Sequence, residues 1–529
     1  MNLLWAVGAA LLLAAAYLLN LGSLYAPTNG DEMVYLHIAR LTSESGHWLP
    51  LVSDLQTPAG AEMRNTKPPF LFWQAMAAGQ WGWDLFALRL PYVLETLLTA
   101  GLVAYLMRVR PLLSLLAAAM YLGFFATYRY GRPVLSSPIE SLFLFGICAF
   151  FIAKQSGWRL YPIRLAAVVG VLMVPALLSK SFVLAAPVGL WLFMSLWITS
   201  ESKSWSQKCW QSSWPATLAV AIGVAGFSLW FVVDPNPAAV WREFVIGENF
   251  STKFSNNSSS IFAFWLSPLL NAGILFPLVI GLLLTALQVI WNKTSDVPTQ
   301  EKILWLWVLC WMLVFTVPSQ RSARYVIPIM PAIAVLLAMY ADRIHRIWWM
   351  LTLGLIALTT AALGWIAWCL DASFLAGAGY SNAYFMALVT LLAICVLGLV
   401  QAKWRKACTA SCAVAWLALL GALATPFDAP TNQYSAAVRT QLAGQKILVP
   451  QNFNAQYERF KFILPASQPF PYEASQAIPA SFPKGDVIAS RLVLRSRHAA
   501  GEVTFEKLSS RSGVQALLVE REVLVSTKK

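Results

Sequence analysis

The segment Leu3–Leu21, LLWAVGAALLLAAAYLLNL, is followed closely by the segment Thr28–Tyr35, TNGDEMVY. The first segment is uncharged and about as long as a helix that crosses the hydrocarbon core of a bilayer. It lacks a basic region before it and a small-residue cleavage site after it, so we expect a retained membrane anchor and not a secretion signal. The second segment places two adjacent acids, Asp31 and Glu32, where the chain leaves the membrane.

These two acids have a structural and a functional interpretation. Acidic side chains suit the positive end of a helix, and Asn29 and Asp31 can accept hydrogen bonds from its unpaired N–H groups. Paired carboxylates at the edge of a membrane bundle also suit catalysis. The rest of the sequence is needed to choose between these two interpretations.

The composition excludes a soluble globular protein. Of the 529 residues, 58% are hydrophobic and 12% are charged, and the mean hydropathy is +0.61. The net charge is nevertheless +14, an excess that membrane proteins place in cytoplasmic loops or against anionic head groups and phosphates. The charges do not form the basic stripe of a nucleic-acid-binding protein. The seven cysteines form no CxxC pair, so neither a zinc site nor a disulfide framework is indicated.

Apolar runs of spanning length recur along the chain and predict about thirteen transmembrane helices. They lie near residues 3–22, 84–107, 111–128, 134–153, 163–179, 182–199, 214–233, 264–291, 303–317, 324–341, 347–370, 381–401 and 406–425. Alternate loops collect positive charge, as at Arg108 and Arg110, and the positive-inside rule assigns those loops to the cytoplasm. The long loops 23–83 and 234–262 and the tail after residue 427 then share the outer side.

The sequence therefore predicts a polytopic all-α membrane protein with interfacial helices on the outer side and a small α/β domain at the C-terminus. Residues 1–426 form the transmembrane domain, in which a helix over 31–44 would lie at the membrane surface. Residues 427–529 form the C-terminal domain. Its β-like runs are Lys446–Val449, Phe460–Leu464, Val487–Leu494 and Ala516–Val519.

The outer loops also hold an unusual set of ionisable residues. The acids are Asp31, Glu32, Glu140 and Glu248, and the cations are Lys67, Arg129, Arg132, Lys180, Lys253, Arg321 and Arg324. A single Lys or Arg near a helix end can simply reach the head groups. Together, the cations suit a substrate that carries phosphate at the membrane surface, because Arg makes bidentate phosphate contacts and Lys supplies a compact charge.

Glycosyl transfer from a lipid-linked sugar phosphate fits this set of residues. A phosphate on the anomeric carbon leaves without a general acid but needs cations. The acceptor hydroxyl needs a carboxylate base or a fixed position. The same set of residues would also suit a protein that binds a phospholipid without catalysing a reaction on it.

Seven short motifs occur in order within residues 1–341. They are DEMVY (Asp31–Tyr35), ESGHWLP (Glu44–Pro50), KPP (Lys67–Pro69), SSP (Ser136–Pro138), LSKSF (Leu178–Phe182), ENF (Glu248–Phe250) and RYVIP (Arg324–Pro328). As an ordered series they resemble the polyprenyl-phosphate-sugar-dependent glycosyltransferases of the C-type membrane fold. The resemblance is nearest to the bacterial aminoarabinose transferases that act on lipid A and more distant to the protein O-mannosyltransferases.

This resemblance implies an inverting transfer from undecaprenyl phosphate–sugar at the periplasmic face of the bacterial inner membrane, where the C-terminal domain would also lie. The acceptor would be lipid A or another glycolipid, with a protein as the alternative. Asp31 and Glu32 become the candidate catalytic residues. The candidate residues for the donor phosphate are Lys67, Lys180, Lys253, Arg321, Arg324 and Tyr325, and those for other substrate contacts are Tyr35, Thr66, Arg132, Ser137, Glu140 and Glu248.

Three positions depart from the aminoarabinose transferases. Thr66 and Ser137 stand where those enzymes have acids, and Val34 stands where they have Arg.

A relative that uses another sugar or acceptor therefore fits the sequence at least as well. The motifs require no cofactor, although a divalent metal could take part. Two further alternatives are an inactive relative and a lipid-phosphate-binding transporter. A transporter would be expected to carry ionisable residues or broken helices near the bilayer midplane.

Overall fold

The structure is a computed structural model. It describes residues 3–24, 30–50, 65–154, 157, 161–254, 259–292, 297–373 and 379–427, together with short pieces of the tail at 440, 443–444, 446–450, 458, 461–462, 466–472, 488–489 and 525–526. Part of the predicted first outer loop, residues 51–64, and most of the predicted C-terminal domain lie outside the described residues.

The described residues in the first half of the chain are almost all helical. Its helices are α1 Leu3–Leu18, α2 Gly30–Glu44, α3 Phe70–Gly79, α4 Leu85–Leu106, α5 Pro111–Gly123, α6 Phe125–Tyr130, α7 Ser136–Ala153, α8 Pro162–Leu177, α9 Ala185–Thr199, α10 Trp205–Val233 and α11 Pro237–Ala239. A helix is thus present over the predicted stretch 31–44, as α2. A 3-10 turn at Phe182–Leu184 precedes α9, and a π-helix at Val240–Ser251 follows α11.

The second half continues the bundle. Its helices are α12 Ile261–Trp265, α13 Ser267–Ala272, α14 Phe276–Asn292, α15 Thr299–Thr316, α16 Met330–Met339, α17 Arg346–Ser373, α18 Asn382–Val400 and α19 Arg405–Ala422, with 3-10 turns at Gly273–Leu275, Ala323–Ile329 and Thr425–Phe427. Pro at the first or second position starts several of these helices, as at Pro331 in α16, because the missing N–H costs nothing there.

Within the described residues, seven helical segments are long and apolar enough to cross a membrane. They are Leu85–Leu106, Ser136–Ala153, Phe182–Thr199, Trp205–Val233, Ser267–Trp291, Arg346–Ala372 and Asn382–Val400. Four shorter apolar segments accompany them, at Val7–Leu18, Pro111–Gly123, Pro162–Leu177 and Ala323–Met339. The chain is therefore a multi-span membrane protein, as its composition predicts.

Aromatic residues and close helix packing hold the bundle core together. Trp191 on α9 and Trp307 on α15 meet edge to face with ring centroids 5.0 Å apart. Their indole N–H groups donate to the Ile303 carbonyl at 3.1 Å and the Pro328 carbonyl at 2.9 Å, so both buried polar atoms are satisfied. Helix α8 approaches α10 so closely that a Cβ on Gly170 would lie 2.6 Å from a side-chain atom of Ile222.

The described pieces of the tail include four short strands. They are β1 Lys446–Pro450, β2 Gln468–Tyr472, β3 Ile488–Ala489 and β4 Val525–Ser526, in the order β2-β1-β3-β4. Strand β1 is parallel to β2 and β3, and β3 is antiparallel to β4. The strand predicted at Phe460–Leu464 is wrong at its two described residues, because Lys461 and Phe462 are helical. The strand predicted at Ala516–Val519 lies outside the described residues.

Candidate functional site

A cavity of about 480 Å³ opens where helix α2 meets several turns and loops of the bundle. Its polar and charged lining residues are Asp31, Tyr35, Thr66, Lys67, Ser136, Ser179, Lys180, Ser181, Glu248, Asn249, Lys253, Ser322, Arg324 and Tyr325. Most of the sequence-predicted site residues therefore converge on one cavity, although the chain positions that supply them span residues 31 to 325.

Helix α2 brings Asp31 to the cavity. Its first turn holds Asp31 and Glu32, which suits the positive end of the helix dipole. The Asp31 carboxylate accepts a hydrogen bond from Nη1 of Arg324, and both side chains are 25% exposed. Arg324 enters from the start of the 3-10 turn, where Ser322 accepts a hydrogen bond from the Arg324 N–H at 3.3 Å. Asp31 thus faces the cavity while paired with a cation.

Lys67 lies in a loop that Asn65 holds through hydrogen bonds to the backbone. Buried Asn65 accepts a hydrogen bond from the Lys67 N–H at 2.9 Å and donates to the Pro50 carbonyl at 3.3 Å. Pro68 and Pro69 then lead into α3. The Lys67 ammonium pairs with the Glu248 carboxylate. Loop 65–69 therefore fixes the position of a cation in addition to connecting two segments of the fold.

The π-helix Val240–Ser251 supplies Glu248 and Asn249. Its wider i→i+5 turns are uncommon and occur often at functional sites. Glu248 pairs with Lys67 and lies 3.9 Å from the ammonium of Lys253. Asn249 accepts a hydrogen bond from the Ser181 hydroxyl at 2.6 Å, which links the π-helix to the turn after α8.

Lys180 and Lys253 flank the phenol ring of Tyr325. The Lys253 ammonium donates to the Tyr325 hydroxyl at 2.5 Å, and the Lys180 ammonium lies 5.2 Å from the Tyr325 ring centroid. Lys180 also donates to Glu140 at 2.8 Å. Glu140 is 1% exposed and does not line the cavity itself. It therefore acts through Lys180.

Among the described residues, the cavity lining carries a formal charge of +2, which the buried carboxylate of Glu140 behind Lys180 reduces to +1. Four cations, Lys67, Lys180, Lys253 and Arg324, meet three carboxylates, those of Asp31, Glu140 and Glu248. The net positive charge suits an anion such as a phosphodiester.

Burial shapes the pKa values of Tyr35 and Lys67. Burial raises the pKa of the Tyr35 phenol above its ordinary value, more than Lys67 lowers it. Burial lowers the pKa of Lys67, but Tyr35 and Glu248 together outweigh that effect, and the pKa of Lys67 is raised. At neutral pH Lys67 is therefore an ammonium and Tyr35 a neutral phenol.

The structure does not bring Glu32 to the cavity, although its sequence neighbour Asp31 lies there. The Glu32 carboxylate is fully buried, accepting from Nε and Nη2 of Arg89 at 2.7 and 2.8 Å and from the Val134 N–H at 2.9 Å. Arg89 also donates to the Leu21 carbonyl at 2.7 Å. These contacts anchor α2 to α4, and Glu32 does not line the cavity.

Arg132, Ser137 and Arg321 also lie away from the cavity lining. Arg132 is buried, donates to the Leu19 carbonyl, and its guanidinium carbon lies 4.3 Å from the Tyr128 ring centroid. Arg321 donates from its side chain to the Thr316 carbonyl at 2.9 Å and the Ser259 carbonyl at 2.6 Å. Both arginines connect segments of the fold. Ser137 is buried, and its neighbour Ser136 lines the cavity instead.

Sequence reasoning missed Arg89, Ser181 and Asn249. Ser181 and Asn249 lie in the motifs LSKSF and ENF, next to Lys180 and Glu248. Their place in these motifs was the feature of the sequence that could have identified them. Arg89 lies in an apolar helix, and no spacing rule links it to Glu32.

Within the described residues no group of three or more His, Cys, Asp or Glu side chains is placed to hold a metal ion. Asp31 and Glu248 are the carboxylates that line the cavity and could contribute to one.

No protein-family model matches the chain. The chain is 27% identical over 339 residues to the undecaprenyl phosphate-alpha-4-amino-4-deoxy-L-arabinose arabinosyl transferase of Erwinia tasmaniensis, a match that covers 62% of this chain and 57% of that protein. The protein of the same name from Edwardsiella ictaluri is 26% identical over 323 residues, covering 59% and 55%. The matched region is therefore little more than half the length of these relatives.

The fold matches over a longer range. The crystal structure of ArnT from Cupriavidus metallidurans bound to undecaprenyl phosphate aligns with a TM-score of 0.66 at 17% identity, covering 99% of this chain and 98% of that one. The same protein in the apo state aligns with a TM-score of 0.62. The resemblance indicated by the motifs is thus confirmed: the chain is similar in sequence to undecaprenyl phosphate-aminoarabinose arabinosyl transferases and in fold to ArnT, a glycosyltransferase of the C-type membrane fold.

Proposed function

We propose that this chain is a glycosyltransferase that moves a sugar from a polyprenyl-phosphate donor, such as an undecaprenyl phosphate–sugar, to an acceptor. The observation that carries the proposal is the cavity with a net positive charge in which Asp31 and Tyr325 lie beside four cations, Lys67, Lys180, Lys253 and Arg324. A sugar linked to a lipid through phosphate is a phosphodiester with one negative charge, which a cavity with a net positive charge attracts. The names of the relatives, and the undecaprenyl phosphate bound to ArnT in its crystal structure, point to the same donor class.

In the proposed reaction, the acceptor hydroxyl oxygen forms a bond to the anomeric carbon as the bond from that carbon to the phosphate oxygen breaks. The electron pair of the broken bond leaves with the phosphate, which gains a negative charge. Lys67, Lys180 and Lys253 stabilise that charge, with the Tyr325 hydroxyl as a further donor. Asp31 takes the acceptor proton or holds the hydroxyl in line. Attack opposite the leaving group inverts the anomeric carbon.

An apolar depression beside the cavity supports a lipid donor. It has a volume of about 540 Å³, and its lining includes Trp48, Pro69, Trp73 and Leu178. Pro69 lies two residues after Lys67, and Leu178 lies two residues before Lys180. The Phe70 N–H donates to the Leu178 carbonyl at 3.0 Å, so these segments are tied together. A polyprenyl chain could lie in the depression while its phosphate reaches the cations.

The orientation and domain organisation are part of the proposal. We place the cavity and the tail on the periplasmic side of the bacterial inner membrane, with residues 1–426 forming about thirteen spans and residues 427–529 forming a small α/β domain. The loop charges support this orientation. A described residue of the tail, Glu458, contacts α2, which lines the cavity, and this contact supports a shared side.

The test of the function is transfer by purified protein in lipid nanodiscs, given several undecaprenyl phosphate–sugars and total outer-membrane lipid, with products identified by mass spectrometry. A new sugar-bearing lipid is the expected result, and its mass identifies the sugar and the acceptor. Donor binding without a lipid product would point to a protein acceptor or an inactive relative. Donor movement across the bilayer without transfer would favour the transporter, and no donor binding at all would overturn the proposal.

A further inference from the structure

Glu458, in the tail, is a fully buried carboxylate surrounded by three cationic or hydrogen-bonding groups. Nη1 of Arg40 donates to its Oε1 at 2.8 Å, and Nδ1 of His37 lies 3.1 Å from its Oε2. The Lys461 ammonium lies 3.2 Å from the same Oε2. His37 and Arg40 belong to α2, and Glu458 and Lys461 belong to the tail. One carboxylate therefore joins the tail to the helix that carries Asp31.

The contact continues through aromatic rings. The guanidinium carbon of Arg40 lies 5.0 Å from the Trp83 ring centroid and 5.8 Å from the Phe462 ring centroid. Phe462 packs against the apolar cluster that includes Leu36 and Ala39 of α2. Arg40 is therefore held by a carboxylate and by rings from both the tail and the bundle.

The tail and the cavity contact different faces of α2. At about 100° per residue, Asp31, Val34, Tyr35 and Ile38 form one face of the helix, and all four line the cavity. His37 and Arg40 lie roughly 140° around the helix from that face. Glu32, which pairs with Arg89, points between the two faces. The buried ion pair inside the bundle and the Glu458 contact from the tail therefore hold α2 on two different faces.

We propose that Glu458 is a positioning residue, through which the C-terminal segment holds α2 so that Asp31 and Tyr35 keep their places in the cavity. Glu458 touches no substrate in this account, and the effect on transfer rests on the proposed function. Replacing the buried carboxylate removes the negative charge that Arg40 and Lys461 face in a buried site, which favours a shift of α2. A displacement of about 1 Å at a catalytic group can lower a rate roughly a hundredfold.

The test compares Glu458→Gln with wild type and with Glu44→Gln. Glu44 is a matched control because its exposed carboxylate lies 3.8 Å from the same Arg40 guanidinium but belongs to α2 itself. Hydrogen exchange of the backbone over Gly30–Glu44, measured in nanodiscs, should rise in Glu458→Gln and not in Glu44→Gln. The turnover number for transfer should fall about tenfold to a hundredfold, with an unchanged KM for the donor.

Two further variants keep the test decisive if Glu458→Gln folds poorly. Arg40→Gln removes the other half of the contact and should also raise exchange in α2, while Glu458→Asp keeps the charge and should recover part of the turnover. Unchanged exchange over Gly30–Glu44 in both Glu458→Gln and Arg40→Gln would overturn the inference, as would a raised KM with full turnover. If wild type transfers no sugar, the proposed function fails, and the exchange experiment still decides the role of Glu458.

Discussion

Arg324 donates a hydrogen bond to the Asp31 carboxylate, although the two residues are 293 positions apart in the chain. The pair joins the first turn of α2 to the 3-10 turn before α16, and each side chain remains one-quarter exposed toward the cavity. Lys67 and Glu248 form a similar pair with each side chain 24% exposed. The Glu248 carboxylate therefore pairs with Lys67, a cation that the proposed mechanism assigns to the phosphate.

Removing one of these carboxylates should strengthen phosphate binding. Glu248→Gln frees Lys67 and also removes the carboxylate 3.9 Å from Lys253. We expect undecaprenyl phosphate to bind about three- to tenfold more tightly in this variant at low ionic strength, with the gain shrinking as salt is added. Calorimetry in nanodiscs measures both affinities.

Glu243→Gln is the matched control, because Glu243 lies on the same π-helix, pairs with Arg242 and does not line the cavity. Equal affinities in wild type and Glu248→Gln, or an equal gain in Glu243→Gln, would contradict the assignment of Lys67 and Lys253 to the phosphate.

The buried pair of Glu32 and Arg89 should matter for stability. Glu32→Gln leaves a buried guanidinium without its partner and should lower the free energy of unfolding by about 3–5 kcal/mol. Asp342→Asn breaks the exposed pair with Lys406 and should change it by only about 0–1 kcal/mol. Thermal unfolding in detergent ranks the two variants. A stable Glu32→Gln protein that has lost transfer would instead restore Glu32 as a catalytic residue.

The sequence predicts those site residues whose positions follow from their neighbours in the chain, and it does not predict pairs of residues that are distant in the chain. Helix α2 and the cations at Lys67, Lys180 and Lys253 follow from apolar runs, charge placement and ordered motifs. The pairing of Glu32 with Arg89 and of His37 and Arg40 with Glu458 joins residues that are 57, 421 and 418 positions apart. No periodicity or spacing encodes such partners. Two adjacent acids consequently look equivalent in sequence, yet tertiary packing buries one and exposes the other.

The contact between the tail and α2 should depend on pH in a defined direction. Burial raises the pKa of Glu458, but the hydrogen bond to His37 and the charges of Lys461 and Arg40 outweigh it, and the pKa lies below its ordinary value. The charged carboxylate therefore stabilises the contact fully above the ordinary Glu pKa of about 4.3. That contribution is lost as the pH falls through the lower pKa of the folded protein.

Hydrogen exchange in α2, compared between wild type and Glu458→Gln across pH, measures this dependence. The groups that face Glu458 are His37 and Arg40 on α2 and Lys461 on its own segment. The difference between the two proteins should persist from pH 7 to about pH 5 and should disappear only below about pH 4. A difference that vanishes between pH 7 and 5 would show that the Glu458 carboxylate is not what stabilises the contact.

The most direct test of the account is the transfer activity of Asp31→Asn beside wild type in nanodiscs with an undecaprenyl phosphate–sugar. Asparagine keeps the size of the side chain and can face Arg324, but it cannot accept the acceptor proton. We expect transfer to fall by about a hundredfold or more, while binding of undecaprenyl phosphate persists. Full transfer by Asp31→Asn would remove Asp31 from the mechanism and contradict the central claim.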